Sequence, residues 1–159
     1  MNENKPEYNE PEIVTVGQFE WKIVEGNVIA ETTGMGPCFG VVIYDPEIKK
    51  AIIGHFPEPD MTSDFEQMIE EAKKLFNDIK RIDVYLGGGG PLSNSRRDIK
   101  HCKKNRKFVE YTLKSNGFKN LKINYNDSTD NTVLRVNTES GKIDYDIQDE
   151  ENESEYNQD

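Results

Sequence analysis

Two side chains in this sequence have the types and spacing for nucleophilic chemistry: Cys38 and His55. A thiol attacks a carbonyl carbon well only as the thiolate, and a neighbouring imidazolium favours that form. The same ring can then protonate a departing amine. Both residues lie in the stretch 32–57, where apolar runs at 39–44 and 51–55 flank Asp45-Pro46, a type I turn signal. If residues 45–48 form a four-residue loop, Tyr44 pairs with Lys49 and Cys38 falls opposite His55. Directly opposed side chains share a face with Cβ atoms about 4.5–5.5 Å apart, close enough for a thiol to meet an imidazole. A displaced register leaves the pair diagonal, so the inference depends on where the loop sits. Gly34 and Gly36 let the backbone turn sharply before the thiol and come close to a substrate. The Cys38 N–H then becomes a candidate donor to a developing oxyanion, a task Pro37 cannot share. Taken singly, a strand cysteine is more often a small buried hydrophobe and a lone histidine a structural residue. Only the pairing makes them a candidate site.

The elements that must position this pair are legible from periodicity. Alternation and β-branched residues predict strands at 19–24, 27–32, 39–44, 51–55, 81–86, 121–125, 133–137 and 143–145. Glu25-Gly26-Asn27 reads as a hairpin turn. Ser63-Asp-Phe-Glu66 reads as a capping box opening a helix whose stripe is Phe65, Met68, Ile69, Ala72, Leu75, Phe76 and Ile79. A second helix is expected from Asn105 to Ser115, stopped by Asn116-Gly117. Strands interrupted by two principal helices imply an α+β fold, an α/β layered sandwich with a mixed β-sheet.

Charge and cysteine usage bound the setting. The formal net charge is −10, yet residues 144–159 hold eight acids and no base, so the acidity is concentrated at the end. The expected organisation is a flexible segment at 1–12, a folded domain at 13–146 and a disordered acidic tail at 147–159. Two cysteines, no leader and no long apolar run argue for a cytoplasmic protein without a disulfide scaffold or membrane insertion. The absence of C-x-x-C or H-x-x-x-H pairs argues against a metal.

Thr32-x-Gly34-x-Gly36-x-Cys38, an apolar strand, Asp45-Pro46 and a second strand ending in His55 resemble the signature of the CheD family of chemoreceptor glutamine deamidases. The resemblance extends over residues 14–145. It takes in the helix at 65–80, the glycine run Gly87 to Gly90, Asn105 at a helix start and the turn Glu139-Ser-Gly-Lys142. It implies that Cys38 is the nucleophile, His55 the general base and acid, and Thr32 the residue that orients His55. Gly34, Gly36, Gly87 and Gly88 are the expected substrate-binding backbone. No cofactor is implied. The implied reaction converts glutamines of chemoreceptor cytoplasmic domains to glutamate, with glutamyl methyl ester hydrolysis as a companion activity. A CheC-type chemotaxis phosphatase is an implied partner. Three departures bear on substrate rather than chemistry: Pro37 replaces the family's usual Ser, 127–132 replaces a Gly-Gly segment, and His101-Cys-Lys-Lys-Asn105 replaces Ile-Gly-x-Arg-Asn. They motivate an alternative, a CheD-like binding module of reduced activity that docks to a phosphatase or receptor.

Two other features invite function. The glycine run could offer N–H groups to an anion, but Pro91-Leu-Ser-Asn does not complete a P-loop, and a turn lining the cleft is the better reading. Residues 96–107 carry seven bases, with Phe108 the sole aromatic close by, a poor match to nucleic-acid binding. An acidic protein surface or the chain's own acidic end suits that patch better. His101 and Cys102 are expected to lie on its surface.

Overall fold

The computed structural model describes residues 9–147. The expected acidic tail from 148 onward, and residues 1–8 of the expected flexible start, lie outside the described residues. The chain forms β1 (Glu12–Thr15), β2 (Trp21–Glu25), β3 (Val28–Met35), β4 (Phe39–Asp45), β5 (Lys50–Phe56), α1 (Asp64–Leu75), β6 (Asp83–Gly88), α2 (Arg96–Ser115), β7 (Asn120–Tyr125), β8 (Thr132–Asn137) and β9 (Ile143–Ile147).

Two sheets and a helical layer stack as expected for a layered α+β fold. One mixed sheet has the order β2-β5-β4-β6-β7, the other β1-β3-β8-β9. Strand β4 is buried along its whole length, because helices cover one face and the second sheet covers the other. Its alternate residues feed two cores. Phe39, Val41 and Ile43 join Phe65, Met68, Ile69 and Ala72 of α1 and Val109 and Leu113 of α2. Val42 and Tyr44, with Cys38 just before the strand, join Ala30, Ala51, Ile53, Leu134 and Val136 between the sheets.

Four sequence expectations need correction. The loop between β4 and β5 is four residues long, but it begins one position later, so Asp45 pairs with Lys50 and Gly40, not Cys38, lies opposite His55. The buried Asp45 carboxylate fixes that turn by accepting the Glu47 N–H at 3.0 Å and pairing with Arg81 at 3.3 Å. Residues 25–27 do not close a hairpin, because β2 and β3 belong to different sheets. Ser63 has a helical backbone and makes no capping bond; its hydroxyl accepts from Gln67 Nε2 instead. The second helix begins at Arg96, where an extended Ser95 accepts the Asp98 N–H at 3.1 Å.

The end of β6 grips the loop that precedes β4. Gly89 and Gly90 donate their N–H groups to the carbonyls of Cys38 and Gly36, at 2.7 and 2.9 Å. Gly88 has φ +69, and a Cβ there would collide with the Cys38 carbonyl. Gly88→Ala is therefore expected to lower stability by about 2–4 kcal/mol in urea unfolding, from left-handed strain plus overpacking. Gly87→Ala, whose added carbon would meet the Tyr145 ring at 3.1 Å and Leu134 at 3.9 Å but no backbone atom among its nearest neighbours, should cost less.

Candidate active site

Two strands and one connecting segment bring Thr32, His55 and Cys38 to the space between the sheets. Thr32 sits on the inward face of β3 with Ala30, and His55 on the inward face of β5 with Ala51 and Ile53. Cys38 immediately precedes β4 and joins that same inter-sheet cluster. Because Gly40 faces His55, Cys38 is diagonal to the imidazole on a shared face, a separation that side chains can still bridge. Met35 fills the space over Gly40, where a Cβ would strike its thioether. Strand β3 is irregular between Thr32 and Met35, and Gly34 at φ +71 takes the left-handed conformation there. Thr33, Gly34 and Pro37 are exposed around the thiol, whereas Gly36 is buried.

The imidazole is held in one tautomer by a short chain of hydrogen bonds. Thr32 Oγ1 donates its only proton to the Val16 carbonyl at 2.7 Å. It is also 2.6 Å from His55 Nδ1. With the hydroxyl proton committed, Nδ1 must carry the hydrogen and donate it to Thr32. Nε2 is then the bare lone pair, buried and without a hydrogen-bond partner among the described residues. The His55 backbone is clamped as well, since its N–H donates to Glu20 O and its carbonyl accepts from Phe19 N–H. Val16, Phe19 and Glu20 act through main-chain atoms. Residue-type reasoning had no signal with which to find them.

Burial sets the charge state of the pair. Desolvation pushes the Cys38 thiol up and lowers His55 from 6.5 to about 4. The two groups therefore rest as a neutral thiol and a neutral imidazole with no hydrogen bond between them, His55 Nε2 having no partner among the described residues, and not as the ion pair that the spacing alone suggested. Cys38 keeps 6% of its surface exposed and His55 2%.

The remaining sequence candidates fall in different places. Gly87 and Gly88 pair with Gly40 and Phe39 in the sheet. The amides of Gly89 and Gly90 are spent on the Cys38 loop, so those two offer no donor to an anion. Cys102 is not a surface residue: it is buried, and its thiol donates to Gly89 O at 3.1 Å. Arg106 leaves the basic patch and turns inward. It donates to Gly89 O and Asn126 O, pairs with Asp127 at 2.9 Å and stacks on the Tyr125 ring. The altered segment 127–132 is thereby tied to the glycine run. A cavity of about 220 Å³ opens beside Pro37, Phe39, Pro57 and Asn105, and the buried Asn105 Oδ1 lacks a partner among the described residues. The described residues hold no group of three or more potential metal ligands, and none of their helices is long and apolar enough to cross a membrane.

No family model matches the chain. Individual relatives do. A probable chemoreceptor glutamine deamidase of Methanosarcina acetivorans is 30% identical over 122 residues, covering 68% of this chain and 76% of the relative. The chemoreceptor glutamine deamidase CheD of Thermotoga maritima is 24% identical over 141 residues, covering 80% of this chain and 87% of its own length. A probable chemoreceptor glutamine deamidase of Caldanaerobacter subterraneus is 32% identical over 100 residues, 55% of this chain and 62% of the relative. The chain spans little more than half the length of several of the curated relatives it matches.

The buried imidazole makes stability depend on pH. The unfolded histidine takes up a proton near 6.5, while the folded one refuses it until about 4. Its contribution is therefore complete above pH 6.5 and is lost as the pH falls toward 4. At 1.36 kcal/mol per pH unit this amounts to about 3 kcal/mol. Urea titrations across this range should show that loss in the parent protein, and a correspondingly shallower loss in His55→Gln.

Proposed function

Because the chain belongs to the CheD family of chemoreceptor glutamine deamidases, we propose that it hydrolyses side-chain amides of glutamines in chemoreceptor cytoplasmic domains. The observation that carries this reading is the bare Nε2 of His55, held by Thr32 and Val16 on the face that Cys38 shares.

The resting pair is neutral, so ionisation accompanies attack. As Cys38 Sγ bonds to the glutamine Cδ, His55 Nε2 removes the thiol proton, and the carbonyl π electrons move onto oxygen. Collapse of that tetrahedral adduct breaks the C–N bond, and the imidazolium proton goes to the leaving ammonia. The thioester then takes up water, whose proton passes to Nε2, and Cys38 departs as glutamate forms. Thr32 accepts from Nδ1–H throughout and steadies the transient imidazolium. Gly34 lies on the exposed rim over which the glutamine side chain enters, and the buried Gly36, with Gly87 and Gly88, lies beneath it. A glutamyl methyl ester would follow the same path with methanol as the leaving group. A CheC-type phosphatase is a partner this reading accommodates. Nothing in the chemistry calls for a cofactor.

Receptor cytoplasmic fragments incubated with the protein should convert glutamine to glutamate, read as an amide-to-acid mass change in peptides. Cys38→Ala should abolish conversion, and His55→Gln should reduce it by about 10²–10⁴-fold. Thr32→Val should reduce the rate and Thr32→Ser should restore it, because the hydroxyl is what holds Nδ1. Conversion surviving in Cys38→Ala would overturn the mechanism. Cys102 is an internal control, buried like Cys38 at 7% exposure and, like it, raised in pKa chiefly by desolvation. If Cys38 alkylates no faster than Cys102, the binding-module alternative replaces the enzyme.

A further inference from the structure

A second pocket lies across the Cys38 loop from the thiol. Successive residues of an extended segment face opposite sides, so Cys38 joins the inter-sheet cluster while Phe39 joins the core beneath the helices. Phe39 and the exposed Pro37 line the cavity of about 220 Å³, and α2 lines it from the other side. Pockets that hold whole metabolites run to about 300–1,000 Å³. This one has room for a single side chain.

The helix turns a distinct face toward it. Asp98, His101, Cys102 and Asn105 stand at i, i+3, i+4 and i+7, and all four line the cavity. The exposed Lys100, Lys103, Lys104 and Lys107 repeat that spacing on a stripe centred roughly 160° away around the helix. Asn105 shares the buried stripe of α2 with Cys102, Val109 and Leu113, a place suited to an apolar residue. It is 5% exposed, and its Oδ1 has no hydrogen-bond partner among the described residues. A buried acceptor without a donor is destabilising, and a ligand that supplies the donor relieves it.

The rest of the lining fixes the kind of donor. Cys102 spends its S–H on Gly89 O, and Asn105 Nδ2 donates to His101 Nε2 at 3.2 Å. Asp98 accepts from Ser93 through Oδ2, which leaves its second oxygen. Glu58 is exposed at the same cavity. The groups left to a guest are thus oxygen acceptors on three side chains, two of them carboxylates. His101, Cys102 and these carboxylates do not converge as metal ligands, since no group of three or more forms among the described residues. A planar cation with several donors suits the set. A guanidinium forks across separated acceptors and lies flat on rings, whereas an ammonium offers its donors at one point.

We propose that this cavity receives one arginine side chain of the protein substrate, its guanidinium held by Asn105 Oδ1, Asp98 and Glu58. The assignment to the substrate rests on the deamidase reading; the pocket's preference for a guanidinium does not. Pro37 precedes Cys38 and also lines the cavity, so a protein surface seated on it meets both places.

Cys102 reports occupancy, because its thiol lines the cavity. With the full chain, N-acetylargininamide should slow alkylation of Cys102 several-fold and saturably, leaving Cys38 unchanged. N-acetyllysinamide and N-acetylglutaminamide should protect far less. Asn105→Leu and Glu58→Gln should each remove most of the protection. Glu58 is exposed, so Glu58→Gln tests the pocket even where Asn105→Leu fails to fold. Equal protection by all three probes, protection by none, or full protection retained in Glu58→Gln overturns the pocket. A chemoreceptor cytoplasmic fragment should also protect Cys102, and N-acetylargininamide should compete with it. A fragment that gives no protection overturns the assignment to the substrate. Glutamine conversion read in the same mixtures separates the two readings: protection without conversion counts against the deamidase alone, and conversion without protection against the pocket alone.

Discussion

The site depends on one hydroxyl proton. Thr32 gives it to the Val16 carbonyl, and that commitment dictates the tautomer of His55 and the direction in which its lone pair points. The bond joins three pieces of chain that no local rule connects: the segment after β1, the inner face of β3 and the end of β5. Each piece is anchored by its own ladder. Val16 N–H donates to Glu31 O, β3 pairs with β1 and β8, and β5 lies between β2 and β4. A hydroxyl can serve here because the second sheet seals it from water. In solvent the proton would be shared with water and the tautomer would be free.

A second constraint holds the thiol. The loop that presents Cys38 has little secondary structure of its own, so its carbonyls need partners from elsewhere. The glycine run supplies them through Gly89 and Gly90, at distances a side chain would forbid. Arg106 then secures the glycine run by donating to Gly89 O and Asn126 O while lying flat on Tyr125. The glycines therefore act as a splice between the Cys38 loop and α2. That gives them a physical reason to be glycine without any bound phosphate.

Much of this was legible in the sequence, and the failures have identifiable causes. The β4–β5 register was displaced because Asp45 looks like the first residue of a turn, whereas its buried carboxylate keeps it in the ladder. The displacement moves the partner of His55 from Cys38 to Gly40, two residues along. Side chains alternate with a period of two, so both positions lie on the same face, and the inference that Cys38 and His55 share a face survives its wrong premise. The hairpin at 25–27 failed for a different reason: turn residues report a change of direction, not which sheet receives the next strand. The start of α2 is hidden in the sequence because 96–104 lacks an apolar stripe and its basic run reads only as a charged surface patch. Cys102 was misplaced with it. The Thr32–Val16 bond was invisible, since any residue type offers a carbonyl.

The neutral, nearly enclosed pair carries a cost that a protein-directed hydrolase can turn to use. Ionising a thiol by a buried imidazole is unfavourable until a substrate carbonyl arrives to receive the charge. A preformed thiolate would be open to oxidation and to any small electrophile, whereas a thiol that ionises only on attack is less so. On the proposed reading, the substrate that fits brings both an electrophilic carbon and a surface to meet the exposed rim at Thr33, Gly34 and Pro37. A free amide supplies the carbon without the surface. A folded protein presenting a glutamine supplies both, so the selectivity for protein substrates proposed above would rest on the same placement between two sheets that buries the two groups.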